Sequence, residues 1–137
     1  MGKDDSELLK WVVRYIASLD DDKLGELTVT RLCRQLNISE TYLYQIFRTK
    51  AKIGPGSFLT FLKIYRSRVL LRDKNMQVRE VANKMGFSTV DYFIRLFKNY
   101  FKMTPGRYMR LVKMGFTDED LLEYLTSLNW PAPVIKI

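Results

Sequence analysis

Two stretches of this 137-residue chain repeat one pattern: LCRQLNIS at residues 32–39 and VANKMGFS at residues 81–88. They match one for one up to the serine, after which the second copy has one extra residue in its turn. Apolar residues at helical spacing follow both copies: Leu43, Ile46 and Phe47 in the first, and Phe93, Leu96 and Phe97 in the second. The repeat therefore predicts two copies of a short helix, a tight turn and a second helix.

The positions that the repeat fixes have steric roles. The small residues Cys33 and Ala82 allow the second helix to cross the first closely, and Asn37 and Gly86 tolerate a backbone with positive φ. This is the helix-turn-helix arrangement, which delivers the N-terminal end of its second helix to the major groove of DNA. A single match is weak evidence, but two copies 49 residues apart (81 − 32 = 49) are far more specific.

Helical periodicity covers most of the remaining chain. An amphipathic helix is predicted from Ser6 to about Leu19 and a loop at Asp20–Gly25. The chain is therefore predicted to be all-α, with about seven helices that form two helix-turn-helix subdomains joined by a long linker helix, plus a C-terminal acidic helix. Within a single domain over 1–137, the predicted parts are residues 6–55 and 76–112 for the subdomains, 56–73 for the linker helix and 113–137 for a C-terminal extension.

Two serine or threonine positions have the spacing of capping boxes, in which a hydroxyl and a carboxylate satisfy the first amides of a helix. They are Ser88 with Asp91, and Thr117 with Asp120. The linker helix is predicted to bury a stripe of Phe58, Leu59, Leu62, Tyr65, Val69 and Leu70. In the helix after Ser88, helical spacing favours a core position over base stacking for Tyr92, Phe93, Phe97, Tyr100 and Phe101.

Positive charge is concentrated in the middle of the chain. The formal net charge is +8, but residues 28–112 contain 17 Lys and Arg against 4 Asp and Glu, a net of 17 − 4 = +13. The remaining acids collect at the two ends. A basic middle indicates a surface that faces a polyanion, although ribosomal proteins, RNA binders and membrane-surface proteins share this feature.

Other classes of protein are disfavoured by composition. The chain has no histidine, which removes Ser/His/Asp and Cys/His catalytic arrangements and the usual metal ligands, so we expect no enzyme, cofactor or metal. The single cysteine, Cys33, allows no internal disulfide, fits a reducing cytoplasm and is expected to be a small core residue. No apolar run approaches the roughly 20 residues that span a bilayer, and residues 1–10 contain no signal-peptide segment.

The second repeat and its surroundings resemble the AraC/XylS family of bacterial transcription regulators. The resemblance rests on Val78-Arg79-Glu80-Val81-Ala82, Gly86-Phe87-Ser88, Tyr92-Phe93, Arg95, Phe97-Lys98, Thr104-Pro105 and Tyr108. The first half is similar through Ile38-Ser39, Tyr42-Leu43, Phe47-Arg48, Phe58-Leu59, Leu62-Lys63-Ile64 and Leu70-Leu71. The chain departs from the family at Lys52, where glycine is usual, and at Gly54-Pro55-Gly56, which replaces the usual entry into the linker helix.

The resemblance implies two recognition helices that enter successive major-groove faces of one duplex, so that one chain reads a bipartite site. Carried over residue by residue, the base-facing positions are Glu40, Thr41, Tyr44 and Gln45 in the first unit and Thr89, Val90, Asp91 and Arg95 in the second. For Asp91 a purely capping role, and for Tyr44 a packed aromatic, remain alternatives. The phosphate-contact candidates flank these helices and are Arg31, Arg34, Arg48, Lys50, Lys52, Lys98 and Lys102.

Two other functions remain open from the sequence. AraC-like modules also occur in enzymes that modify DNA, and full activity after Cys33→Ser would argue against that class. A protein-interaction module without DNA contact would show no salt-dependent DNA binding. The expected partner is double-stranded DNA, with RNA polymerase a further candidate. We also expect the chain to be a fragment, with a sensing or dimerisation domain of the regulator outside it.

Overall fold

The computed structural model describes residues 4–127, with side chains described as far as Glu123, and this range contains helices and no strand. The all-α prediction is confirmed, with nine α-helices in the described range. No helix there is long and apolar enough to cross a membrane. Residues 128–137 of the predicted C-terminal extension lie outside the described range. The helices are α1 (Asp5–Ser18), α2 (Asp21–Glu26), α3 (Val29–Leu36), α4 (Glu40–Ile46), α5 (Pro55–Asp73), α6 (Val78–Lys84), α7 (Val90–Phe101), α8 (Pro105–Lys113) and α9 (Asp118–Ser127).

The predicted loop at Asp20–Gly25 is wrong, because this segment contains α2. The Asp20 carboxylate accepts a hydrogen bond of 2.8 Å from the Lys23 amide and so caps the helix. At the other end, the half-buried Lys63 ammonium donates to the carbonyl oxygens of Gly25, at 3.3 Å, and Leu27, at 2.8 Å. Burial lowers the pKa of Lys63. A run of aspartates before a glycine resembles a turn in composition, whereas these contacts satisfy backbone groups at both ends of a helix.

The described residues form two compact units, and the boundary between them falls inside α5, between Lys63 and Ile64. The first unit contains both helices of the first repeat. Its core includes the tilted ring pair of Phe47 and Phe58, whose centroids lie 5.5 Å apart. Both rings are fully buried, as are Val12, Ile16, Leu24, Leu32, Leu43 and Ile46.

The core of the second unit is a chain of aromatic rings. Phe97 is fully buried and contacts Phe93, Phe101 and Tyr108 with ring centroids 5.9, 4.8 and 5.9 Å away. The buried residues of this unit also include Ile64, Leu70, Leu71, Val81, Ala82 and Met85. Tyr65, predicted in the buried stripe of α5, is instead 41% exposed, and its ring lies 4.6 Å from the Arg68 guanidinium carbon.

The first recognition helix ends in a wider winding than an α-helix. After α4 the chain forms a π-helical turn, Phe47–Ala51, and then reverses at Lys52 with φ of 64°. At this residue the sequence departs from the family that it resembles, where glycine is usual. Lysine therefore occupies a left-handed backbone conformation that costs an L-residue about 1–2 kcal/mol.

The C-terminal extension packs on the second unit through Asp118, the first residue of α9. The Asp118 carboxylate accepts a 2.7 Å hydrogen bond from the Tyr108 hydroxyl and forms an ion pair of 2.6 Å with Arg68. Arg72 also pairs with it and holds Asp73 on both carboxylate oxygens, at 2.8 and 3.0 Å. The predicted capping box is confirmed, since Thr117 and Asp120 exchange hydrogen bonds of 2.8 and 3.1 Å.

Replacing Lys52 by glycine should stabilise the first unit. Relief of the left-handed strain, about 1–2 kcal/mol, exceeds the backbone entropy that glycine adds to the unfolded chain, roughly 0.5–1 kcal/mol. We expect the free energy of unfolding to rise by about 0.5–1 kcal/mol, measured by urea denaturation. Lys50→Gly is the matched control, because Lys50 lies in the π-helical turn without a positive φ, and it should destabilise. A loss of stability in Lys52→Gly would contradict the strain.

Replacing Asp118 by alanine should destabilise the second unit by about 2 kcal/mol, since it removes charged hydrogen bonds from two partly buried arginines. Native-state hydrogen exchange of the amides of α8 measures this. The exposed neighbour Glu119 supplies the control, because Glu119→Ala should change stability by less than about 0.5 kcal/mol. Equal exchange rates in the two variants would show that Asp118 does not stabilise the second unit.

Candidate nucleic-acid interface

The two helix-turn-helix motifs share the same hydrogen bonds in their turns. In the first, the Ile38 amide donates to the Cys33 carbonyl at 3.1 Å. In the second, the Phe87 amide donates to the Ala82 carbonyl at 3.0 Å. The left-handed residue before each donor is Asn37, with φ of 55°, and Gly86, with φ of 79°; Asn37 and Gly86 themselves donate to Arg34 and Asn83 at 3.3 and 3.1 Å. The repeat seen in the sequence is thus a structural repeat.

The extra residue in the second turn moves the cap of the second helix. Ser39 caps α4 by accepting a 3.1 Å hydrogen bond from Tyr42. In the second motif Thr89, and not Ser88, caps α7: its hydroxyl oxygen accepts a 3.0 Å hydrogen bond from the Tyr92 amide. The capping box predicted for Ser88 with Asp91 is therefore wrong. The turns align with an offset of 49 residues, but the recognition helices align with an offset of 50 (89 − 39 = 50), because the inserted residue lies between them.

The outer face of α4 carries three exposed candidates for base contact, Glu40, Thr41 and Gln45. Tyr44 is half-buried, and its ring lies against the turn that begins α5. A methyl group placed on Gly54 would be 3.5 Å from the Tyr44 Cε1 atom, and one on Gly56 would be 3.6 Å from its hydroxyl oxygen. Tyr44 therefore packs on this glycine-rich turn, while the base-contact roles of all four residues stay predictions.

The second recognition helix presents its candidates from its first two turns. Thr89 is exposed, and its hydroxyl can still donate a proton while its oxygen caps the helix. Val90 is half-buried and Asp91 is exposed at the second helical position. Since Asp91 does not stand three residues after the cap, it has no capping-box role, and its acidic charge suits the positive end of the helix.

Arg95 is exposed on α7 and lies over an aromatic ring. Its guanidinium carbon is 5.4 Å from the ring centroid of Tyr92. The predicted core position of Tyr92 is wrong, because 39% of this residue is exposed. Sequence reasoning missed this pairing, although the spacing of three residues on a helix puts the two side chains on one face.

The phosphate-contact candidates are all exposed. They are Arg31, Arg34, Arg48, Lys50, Lys52, Lys98 and Lys102. Among the side chains described, which extend to Glu123, none of them forms an ion pair, although the Arg31 guanidinium donates to the Glu26 carbonyl at 3.4 Å. Their charges therefore face solvent. Whether they contact phosphate stays a prediction.

Cys33 does not have the surroundings of a reactive thiol. It is buried in the first unit, and burial, with the nearby negative charge of Glu40, raises its pKa. A raised pKa keeps the thiol protonated and unreactive at neutral pH. The expected role as a small core residue fits this position.

Comparison with known proteins identifies relatives of this chain. The family profile described as "Helix-turn-helix domain" matches residues 32–111, more than half of the chain. The Msm operon regulatory protein of Streptococcus mutans is 31% identical over 89 residues, which cover 65% of this chain and 32% of that protein. The raffinose operon transcriptional regulatory protein RafR of Pediococcus pentosaceus is 33% identical over 97 residues, which cover 71% of this chain and 35% of that protein. This chain spans about a third of the length of these curated relatives.

Solved structures similar to this chain also come from regulatory proteins. The C-terminal domain of the two-component response regulator yesN from Fusobacterium nucleatum has a TM-score of 0.64 at 26% identity, covering 75% of this chain and 98% of that domain. A transcriptional regulator from Chromobacterium violaceum, titled as containing an AraC-type DNA-binding domain, has a TM-score of 0.67 and covers 78% of this chain and 96% of that one. At 19% identity the second likeness concerns the fold alone.

The assignment of the α7 cap can be tested with a pair of adjacent variants. Thr89→Ala removes the hydroxyl that accepts from the Tyr92 amide and should cost about 1 kcal/mol of stability. Ser88→Ala should cost less than about 0.5 kcal/mol, since the exposed Ser88 precedes the cap. Thermal denaturation of the two variants measures the difference. The reverse order of stabilities would restore Ser88 as the cap.

Proposed function

Because this chain belongs to the AraC-type helix-turn-helix family, we propose that its two recognition helices read the two halves of one double-stranded DNA site for a transcription regulator. The resemblance to the AraC/XylS family is confirmed. Family membership supports sequence-specific DNA binding. The division of the site between the two helices is the further step of the proposal.

One observation carries the proposal: the chain contains the same turn twice, and each turn is followed by a capped helix with a free outer face. The buried residues Leu43 and Ile46 anchor α4, and Phe93 and Phe97 anchor α7. Anchoring on one side leaves the opposite side, near each N-terminal end, for contact with another molecule. That is the geometry with which a helix-turn-helix motif presents side chains to base edges.

The chemistry of these outer faces fits direct readout in the major groove. Arg95 can donate two hydrogen bonds to guanine, and Gln45 can pair with adenine in the same two-point manner, each discriminating by about 1–3 kcal/mol. Thr41 and Val90 offer methyl groups to thymine, and Asp91 can accept from the amino group of cytosine. The net charge of +13 over residues 28–112 (17 − 4) supplies attraction to phosphate that does not depend on sequence.

The rest of the regulator is part of the proposal as well. This chain covers about a third of its curated relatives, which leaves room for a sensing or dimerisation domain in the whole protein. We propose that the complete regulator acts in the bacterial cytoplasm, has no enzymatic activity of its own and contacts RNA polymerase at the promoters that it controls.

The experiment that tests the proposal is selection of binding sites from a random double-stranded DNA library with this chain alone. We expect a bipartite motif whose halves lie about one helical turn, 10 base pairs, apart. Arg95→Ala should abolish a guanine preference at one position, a loss of about 1–3 kcal/mol of discrimination.

The matched control is Lys98→Ala on the same helix. Loss of a phosphate contact should weaken binding to all sequences equally and reduce the dependence of affinity on salt concentration. Selection that enriches only one half-site would contradict reading by both units. Selection that enriches nothing would contradict specific DNA binding by this chain.

A further inference from the structure

Three side chains, Phe87, Tyr92 and Arg95, lie in a row on α7 and the turn before it, each near the next, and form what we call the ladder. The Phe87 ring meets the Tyr92 ring edge to face, with centroids 6.1 Å apart and planes at 63°. The Arg95 guanidinium carbon then lies 5.4 Å from the centroid of Tyr92. A guanidinium within about 6 Å of an aromatic centroid is attracted by the electron-rich face of the ring. Arg95 is therefore restrained by an aromatic ring before any ligand is bound.

The ladder is attached to the core at its inner end. Phe87 is half-buried, and its ring centroid lies 5.2 Å from that of the fully buried Phe93. The Phe87 amide makes the turn-closing hydrogen bond to the Ala82 carbonyl, so its backbone is also fixed. Tyr92 is held in turn by its amide, which donates to the Thr89 cap. The ring under Arg95 is thus positioned by the motif itself.

Restraint matters for an arginine that reads a base. Its long side chain loses rotamer freedom when it binds, which lowers affinity and weakens discrimination. All the donor groups of a guanidinium lie in its plane, and two of them can meet two acceptors of guanine. An arginine whose cation is already held near an aromatic ring has less rotamer freedom to lose in this two-point contact, whereas an unrestrained one can turn more freely toward phosphates.

We propose that Tyr92 is a positioning residue that holds Arg95 in its base-reading orientation and thereby sets specificity at the base pair that Arg95 contacts. This inference rests on the proposed role of Arg95 in reading guanine. Because the attraction is electrostatic and needs only the ring, phenylalanine at position 92 should preserve it. A contact of the tyrosine hydroxyl with DNA would be a different role, and the comparison of Phe with Leu separates the two.

The test measures the affinity of four variants for the selected site and for the same site with its guanine replaced. Tyr92→Leu should lower the ratio of the two affinities by roughly two- to fivefold, leave preferences at other base pairs unchanged and keep the melting temperature within a few degrees. Tyr92→Phe should keep the ratio of the unaltered chain. In an Arg95→Ala background, Tyr92→Leu should have no further effect on the ratio.

A second measurement does not need DNA. In the free protein, NMR relaxation of the Arg95 guanidinium nitrogen reports its motion on the picosecond to nanosecond timescale. We expect faster motion in Tyr92→Leu and no change in Tyr92→Phe. This NMR measurement still tests the restraint on Arg95 if Tyr92→Leu lowers stability for an unrelated reason.

Several results would overturn the inference. They are a Tyr92→Phe variant as impaired as Tyr92→Leu, an equal loss of affinity for both sites, independent effects in the double variant, or unchanged motion of Arg95. Failure of the underlying proposal, that Arg95 reads guanine, can be told apart from these results. In that case the Arg95→Ala variant alone would keep the guanine preference. That outcome removes the role of Tyr92 together with that of Arg95.

Discussion

One local constraint underlies both recognition helices: the chain must pass through a left-handed residue between the two helices of each motif. At Asn37 and at Gly86 this conformation allows the next amide to reach back to a carbonyl in the preceding helix. The first helix therefore ends and its last carbonyls are satisfied. Every base-facing candidate takes its place from this turn, because α4 begins three residues after Asn37 (40 − 37 = 3) and α7 begins four residues after Gly86 (90 − 86 = 4).

Turn and cap chemistry is local, which is why the sequence was sufficient to predict the repeat and the all-helical fold. The same locality explains the error at Ser88. Serine and threonine are both good caps, and in the structure Thr89 takes this role at the start of a helix whose Phe93 and Phe97 are buried. Local preference cannot resolve one residue when two neighbours are equally suitable.

Contacts between distant parts of the chain were not predictable from one sequence. Lys63 meets the carbonyl of Leu27, 36 residues earlier, and Arg72 meets Asp118, 46 residues later. Each contact involves a segment whose structure was uncertain from the sequence. Lys63 contacts the end of α2, and Arg72 contacts the C-terminal extension. For the aromatic residues of α7 the difficulty was geometric. Helical spacing identifies a buried stripe along the helix. Tyr92 lies at the edge of that stripe beside Phe93, and only the packed structure shows that Phe93 is buried while Tyr92 is exposed.

The base-contact candidates of the two recognition helices differ in chemistry. The exposed candidates of α4 are Glu40, Thr41 and Gln45, none of which is a cation, whereas those of α7 include the cation Arg95. An uncharged side chain can also hydrogen-bond a phosphate, but it lacks the long-range attraction that a cation has for the DNA backbone. A mobile cation beside a polyanion is attracted to every phosphate within reach, and it specifies a base only if its direction is fixed. Among residues 4–123, whose side chains the structure describes, no aromatic ring lies beneath the ammonium groups of Lys98 and Lys102 on the same helix and its C-cap, as suits the phosphate contacts proposed for them. The ring beneath Arg95 is the difference expected between a cation that attracts DNA and one that reads it.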